Sequence, residues 1–250
     1  MTTSAGPKGP QAQPVYVTVD VEPDCPPFLN TWRGIDEGMP KLRRLLDEEQ
    51  VRATMFVTGE VARRYPALVD GLVGDGHELG CHGDTHASLA TLTPAQAAHE
   101  IEESTRVLRR HGDVVSFRAP YLQLPVRTLG QLRDTGYRVD SSTGRHKSLG
   151  ARVEMVDGVL RVPASITSST LRWPAPFRNP LLARLSSPAV VFVHPWEFVD
   201  FRRSSLRFDC RFRTGDTALG CLRDTIRFFK DRQSAFGTMR ECPATLAWRP

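Results

Sequence analysis

The chain has 250 residues, 40% of them hydrophobic, and a formal net charge of +5, which is enough apolar matter to bury one full core in a single domain. Its basic residues are scattered as pairs such as Arg43-Arg44, Arg63-Arg64 and Arg109-Arg110. They form no arm, which argues against a nucleic-acid partner and leaves the charge as a field that favours an anionic or phosphate-bearing substrate. No apolar run approaches the ~20 residues needed to span a bilayer, so a transmembrane segment is not expected.

Met1 to Gln13 is polar and rich in Gly, Pro, Ser and Thr. It lacks the apolar centre of a secretory signal and reads as a disordered leader of a cytoplasmic protein, with one domain over 14–250. From there short β-rich runs alternate with helical patterns. Val15 to Asp20 is a strand, Ile35 to Glu49 a helix, Ala53 to Val57 a strand, and Ala62 to Val73 a helix. His77 to His82 is a strand, Pro94 to Arg110 a helix, Val114 to Arg118 a strand, Pro125 to Thr135 a helix, and Tyr137 to Asp140 a strand. Gly144 to Arg184 fits a hairpin, a bent strand pair or a substrate loop. Beyond it come the apolar strand Ala189 to His194, a helix from Thr217 to Arg232, and a last strand near Phe236 to Met239. Thr93-Pro94 is a helix start, and Gly112 and Gly136 are expected C-terminal stops. This β-α alternation predicts an α/β fold of parallel strands joined by crossovers.

Five cysteines, Cys25, Cys81, Cys210, Cys221 and Cys242, show no Cys-x-x-Cys spacing. An odd set of this kind reads as free thiols in a reducing compartment. From Phe201 to Phe212, aromatic and basic residues alternate as in a pocket wall, a subunit contact or a solvated loop.

The unusual polar residues fall in a pattern. Asp20, His82, Arg118, Asp140 and His194 each close an apolar run at its C-terminal end, and in a parallel α/β barrel that rim is where catalytic residues gather. His82 and His86, four apart, fall on one side of a helical turn and suit a divalent metal bound through neutral imidazoles. Asp20 and Glu22 face the same side if the strand continues through Val21. One carboxylate can bind the cation and the other serve as a base, with Asp24 a competing ligand. Arg118 can hold Asp20 ionised, an amide near Tyr121 can stabilise an oxyanion, and His194 is a candidate acid. Trp196 reads either as core or as a sugar-stacking platform.

In order and content these motifs resemble the polysaccharide deacetylase family, also called the NodB-homology or carbohydrate esterase 4 family. The likeness runs over roughly Val15 to Met239. It rests on Thr18-Val19-Asp20-Val21-Glu22, His82-Gly83-Asp84-Thr85-His86, Arg118-Ala119-Pro120-Tyr121, Asp140 as a partial fourth motif, and Val191-Phe192-Val193-His194. The resemblance implies a distorted (β/α) barrel that holds a divalent metal, usually zinc, with cobalt, nickel, manganese or iron as substitutes. It implies removal of an N-acetyl or other small N-acyl group from an amino sugar or glycan precursor. It also implies roles: Asp20 the base; Glu22, His82 and His86 the metal ligands; Arg118 the tether of Asp20; Tyr121 an oxyanion donor; His194 the acid; Asp140 a further catalytic residue; Tyr121 and Trp196 substrate contacts.

The chain departs from the family in places. Val21 stands where the commoner first motif has its second aspartate, so Asp20-Val21-Glu22 looks like a branch with spaced carboxylates. Gly83 replaces the usual Ser or Thr, and no tryptophan follows Asp140. Arg33-Gly34 with Glu37-Gly38-Met39-Pro40 is similar to the matching segment of lipid-linked aminoarabinose deformylases. Deacylation of a lipid-phosphate- or nucleotide-linked amino sugar is therefore the nearest rival. Cyclic-amide hydrolysis and a non-catalytic sugar-binding barrel stand further off.

Overall fold

The computed structural model describes residues 12–29, 31–147 and 150–246, so residues 1–11 of the expected leader lie outside the described residues. The strands are β1 (Pro14–Val21), β2 (Thr54–Val57), β3 (Glu78–Cys81), β4 (Ser116–Phe117), β5 (Val139–Asp140), β6 (Glu154–Val156), β7 (Val159–Arg161), β8 (Ala189–Val193) and β9 (Ala235–Gly237). The helices are α1 (Met39–Glu48), α2 (Gly59–Arg64), α3 (Pro66–Gly74), α4 (Pro94–Leu108), α5 (Leu129–Asp134), α6 (Ser168–Leu171), α7 (Ala175–Leu182), α8 (Phe208–Arg211), α9 (Asp216–Asp231) and α10 (Cys242–Thr245).

The strands form one sheet in the order β6-β7-β5-β4-β3-β2-β1-β8, with β9 added to the start of β1. All pairs are parallel except the β6–β7 hairpin. The sheet curls into a distorted barrel until the segment after β7 meets the far edge, where Ser165 N donates to Val190 O at 2.8 Å. Ser165 Oγ in turn accepts from Val190 N at 2.9 Å.

Strand β1 shows how the sequence makes both layers. Its alternate residues Val15, Val17, Val19 and Val21 pack outward into the large core shared with Met39, Leu42 and Leu45 of α1. Tyr16 packs inward with Phe56, Val139, Leu160 and Val190 at the bottom of the barrel. On this same inward parity lie Thr18, Asp20 and, just past the strand, Glu22. The barrel interior therefore passes from aromatic and aliphatic at one end to carboxylate at the other.

Several elements differ from expectation for local reasons. The helix expected over Ala62 to Val73 is two helices, because Pro66 lacks an amide hydrogen and forces Tyr65 out of the helical region (φ −128°, ψ 56°). Strands β4 and β5 keep only two residues each, and the helix expected from Pro125 begins as a 3-10 turn before α5. The Thr93 start carries a full capping box with Gln96. Gly136 takes a left-handed φ of 95° directly after α5, whereas the α4 cap is Arg109 and Gly112 lies beyond it. The region from Gly144 to Arg184 resolves into the hairpin, with Asp157 and Gly158 both at positive φ in its turn, then α6 and α7. No helix among the described residues is long and apolar enough to cross a membrane.

Candidate active site

A cavity of about 190 Å³ opens at the C-terminal rim, lined by Asp20, Glu22, His82, His86, Tyr121 and His194 among others. A larger groove of about 750 Å³, lined by Arg43, Arg44, Arg52 and His77, borders the start of β3 at the other end of the strands. Chemistry rather than size selects between them: the rim cavity brings together the buried carboxylates Asp20 and Glu22 and the imidazoles of His82, His86 and His194, whereas arginines dominate the groove.

Arg118 is fully buried beneath the floor. Its Nη1 donates to Asp20 Oδ1 and to Thr18 Oγ1, both at 2.7 Å, while Nε and Nη2 bond the carbonyl and hydroxyl of Ser141 at 3.2 and 2.9 Å. The guanidinium also lies over Phe56, 4.4 Å from the ring centroid. One oxygen of Asp20 is thus held, and the other, Oδ2, lies 3.8 Å from His194 Nε2.

Glu22, His82 and His86 form the one cluster of potential metal ligands among the described residues, with donor atoms within 4.8 Å of one another. Glu22 Oε2 lies 3.2 Å from His82 Nε2 and 2.6 Å from His86 Nε2. His82 Nδ1 is 2.7 Å from the Arg118 carbonyl, an acceptor, so its proton sits on Nδ1 and a bare lone pair on Nε2 faces a carboxylate oxygen. Two acceptors that close fit a cation between them, and a carboxylate with two imidazoles is a donor set suited to zinc and its neighbours. Burial pushes the Glu22 carboxyl up, but the charges of His86 and His194 outweigh it and hold the group well below the usual carboxylate range.

The two histidines converge through an open loop, not the expected helical turn. Gly83 and His86 both adopt left-handed backbone, at φ 73° and 62°. That is the reason for glycine where Ser or Thr was expected. Glu100 of α4 pins this loop, accepting from the amides of Asp84 and Thr85 at 2.9 and 3.0 Å. Arg63 clamps Asp84 with two bonds of 2.8 and 2.9 Å. His86 lies edge-on against Tyr121, ring centroids 4.7 Å apart.

Three expected roles are corrected. Asp24 is not a ligand: its Oδ1 accepts from Gly34 N at 2.7 Å and its Oδ2 from Arg33 N and Thr31 Oγ1 at 2.8 and 2.5 Å. Trp196 lines the cavity but is no open stacking platform, since it is 5% exposed, lies stacked on His194 and donates its indole N–H to Glu22 Oε1 at 3.2 Å. Asp140 is fully buried outside the cavity lining, and its oxygens are taken by Ser142 N at 3.0 Å and Arg161 Nε at 3.0 Å. Its link to the rim runs through Ser142, whose hydroxyl accepts from Ala119 N.

His194 instead pairs with Glu197, whose Oε1 is 2.7 Å from His194 Nδ1 and 3.0 Å from its amide. The sequence reading gave Glu197 no role, although its position three residues after His194 in a proline-initiated turn is a capping-box signal. Burial pushes the His194 imidazolium down, yet Glu22, Glu197 and Asp20 together raise it to about 9. The segment from Phe201 to Phe212 contributes to the pocket wall through Cys210, while Phe208 is exposed. Phe201 and Leu206 pack with Cys25 and Trp196, and Cys210 and Cys25 line the cavity.

A family model described as polysaccharide deacetylase matches residues 8–139, more than half of the chain. The chain belongs to the polysaccharide deacetylase family. Among curated polysaccharide deacetylase relatives it is 32% identical to a chitooligosaccharide deacetylase of Sinorhizobium fredii over 116 residues, 45% of this chain and 49% of that one. It is 31% identical to a peptidoglycan-N-acetylglucosamine deacetylase of Bacillus cereus over 74 residues, 30% of this chain and 27% of that one. The chain thus spans about half or less of the curated relatives it matches. A solved Mycobacterium smegmatis structure assigned to the polysaccharide deacetylases superposes with a TM-score of 0.71 at 20% identity, over 98% of this chain and 94% of that one. The curled α/β barrel in a single domain is therefore the architecture of this family.

Proposed function

We propose that this polysaccharide deacetylase-family chain is a metal-dependent hydrolase that removes an N-acetyl or other small N-acyl group from an amino sugar within a glycan or glycan precursor. One observation carries the reading: a tethered carboxylate, a cluster of one carboxylate with two imidazoles, and a third imidazole converge on one cavity from β1, β3, β4 and β8. The names of the relatives, deacetylases of chitooligosaccharide and peptidoglycan, support an N-acetylated amino sugar as the substrate class.

Glu22, His82 and His86 would hold the cation, with zinc the first candidate. When bound, such an ion polarises an acyl carbonyl and acidifies water towards a pKa of ~7. Asp20 Oδ2 takes the proton of the attacking water while Arg118 holds Oδ1 and the carboxylate's orientation. The backbone N–H of Tyr121 is the donor for the oxyanion. His194 Nε2 delivers a proton to the departing amine, and a free amino sugar and a carboxylate result.

Lys147 also lines the cavity, and its ammonium favours the second reading, an amino sugar carried on a nucleotide or lipid phosphate. The decisive experiment measures metal content together with acetate and formate release from N-acyl amino sugars in free, oligomeric, nucleotide-linked and lipid-phosphate-linked form. About one zinc per chain and release that disappears in Asp20→Asn is the expected result. His82→Ala should lose metal and turnover together, and full activity in a metal-free His82→Ala protein would overturn the assignment.

A further inference from the structure

His194 is the rim residue whose orienting partner lies on its own turn. Glu197 Oε1 accepts the backbone N–H of His194 at 3.0 Å and faces Nδ1 at 2.7 Å. A carboxylate oxygen can only accept, so the Nδ1 position carries a proton and Nε2 is the nitrogen presented to Asp20 and Glu22, at 3.8 and 3.7 Å. The second oxygen of Glu197 lies 3.1 Å from Arg172 Nε. That contact is an ion pair whose N–H is not aimed along the line between the atoms, so Arg172 supplies charge there rather than a directed bond.

Arg172 caps the end of α6, and its remaining nitrogens are committed to the cavity wall. Nη1 donates to the carbonyls of Cys210 and Phe212 at 3.0 and 2.6 Å, and Nη2 to that of Asp209 at 2.7 Å. Glu197 and Arg172 are 1% and 2% exposed. A carboxylate buried so deeply persists only with a compensating charge. Asp140, another buried acid near the rim, is spent on Arg161 and Ser142.

We propose that Glu197, with Arg172 behind it, is the positioning pair of His194, and that it keeps the imidazole proton on Nδ1 while Nε2 gives its own proton away. The inference rests on His194 being the proton donor of the reaction proposed above. In that step the C–N bond of the tetrahedral adduct breaks, the amine nitrogen takes the Nε2 proton, and the imidazolium becomes a neutral imidazole still bonded through Nδ1–H to Glu197. Neither Glu197 nor Arg172 lines the cavity. Arg172 ties the same pair to the wall formed by residues 209–212.

The test compares two substrates in the metal-loaded full chain. An N-acetylglucosamine oligomer has an amine leaving group that must be protonated, whereas 4-nitrophenyl acetate expels a phenolate that needs no proton. In Glu197→Gln, kcat on the amide should fall at least about 100-fold, the lower end of general-acid catalysis, with KM and the aryl acetate rate within about threefold. Arg172→Met should show the same split in weaker form, and Asp140→Asn should lose both substrates equally or neither. Equal losses on the two substrates in Glu197→Gln, or undiminished amide turnover, would overturn the pairing.

Imidazole NMR gives a readout free of turnover. The Nδ1-bound proton of His194 should resonate far downfield in the native protein, move upfield in Glu197→Gln and stay in place in Asp140→Asn. The reverse pattern sinks the proposal. A native protein that hydrolyses neither substrate yet shows the expected pattern would overturn the deacetylase reading while upholding the positioning pair.

Discussion

Arg118 does more for this site than any residue that lines it. Fully buried, it answers the charge of Asp20, bonds Thr18 and Ser141, and through its own carbonyl fixes the tautomer of His82. Arg118→Ala leaves Asp20 as a buried charge without its partner, which costs about 3–5 kcal/mol. Chemical denaturation should show that loss, and turnover should fall with it. His194 carries the site's pH response. Its imidazolium, raised to about 9 in the folded chain, binds its proton more tightly than in the unfolded chain. That interaction stabilises the fold fully below pH ~6.5 and is lost as pH rises through about 9. Histidine NMR on the metal-free protein should place the midpoint near 9, and added zinc should lower it by cancelling the charge of Glu22. A midpoint indifferent to zinc would mean that the ion does not sit beside Glu22.

At the scale of elements, turns decide where the rim residues end up. Gly38 starts α1 where a Cβ would collide with the Pro195 carbonyl, and a Cβ on Gly34 would sit 2.5 Å from Trp196 N. These two glycines let the stretch before α1 dock beneath the turn that carries His194, Trp196 and Glu197. Gly38→Ala should therefore destabilise the chain by about 1–3 kcal/mol, the usual cost of overpacking. It should also weaken zinc binding through Trp196 and Glu22, which isothermal titration would detect. Asp20, His82, Arg118 and His194 were legible in the sequence because each is a polar residue that ends an apolar strand, and strand ends of a parallel barrel share a rim. Parity placed Glu22 on the side of Asp20, and the resemblance to a branch with spaced carboxylates singled it out over Asp24. Glu197 and Arg172 were not, because nothing in the residue order reveals that a 3-10 turn folds Glu197 back onto His194 or that the end of α6 arrives beside it. Asp140 was misplaced because closing β5 does not decide which partner claims a carboxylate, and Arg161 on the neighbouring strand β7 claims it.

For the whole molecule, the alternation of strand and helix gave the architecture, since parallel pairing needs crossovers and a curled parallel sheet needs an outer layer. The hairpin between Glu154 and Arg161 was legible only as one of three options for its segment, and the closure through Ser165 was not legible. Three-residue strands are too short to show a periodicity, and closure depends on curvature accumulated over the entire sheet. Because the proposed ligands come from β1 and from the loop after β3, a cation that binds only the assembled barrel should stabilise all of it. At a free zinc concentration of about 100 times Kd the gain is about 2.7 kcal/mol, a rise of roughly 5–10 °C in Tm for a chain of this size. Chelation should reverse the rise and His82→Ala abolish it, both by calorimetry.

Strand β1 is flanked by β9 and then β2 on one side and by β8 on the other. Its amides can meet solvent only when the sheet as a whole comes apart, so hydrogen exchange at Val17 to Val21 should report the global unfolding free energy. The wall from Phe201 to Phe212 hangs on short turns and on Arg172, and its amides should exchange through smaller, local openings. The two halves of the reaction centre would then have separate lifetimes. The carboxylates on β1 persist as long as the fold does, while the surroundings of His194 open and reclose many times within a single folded life.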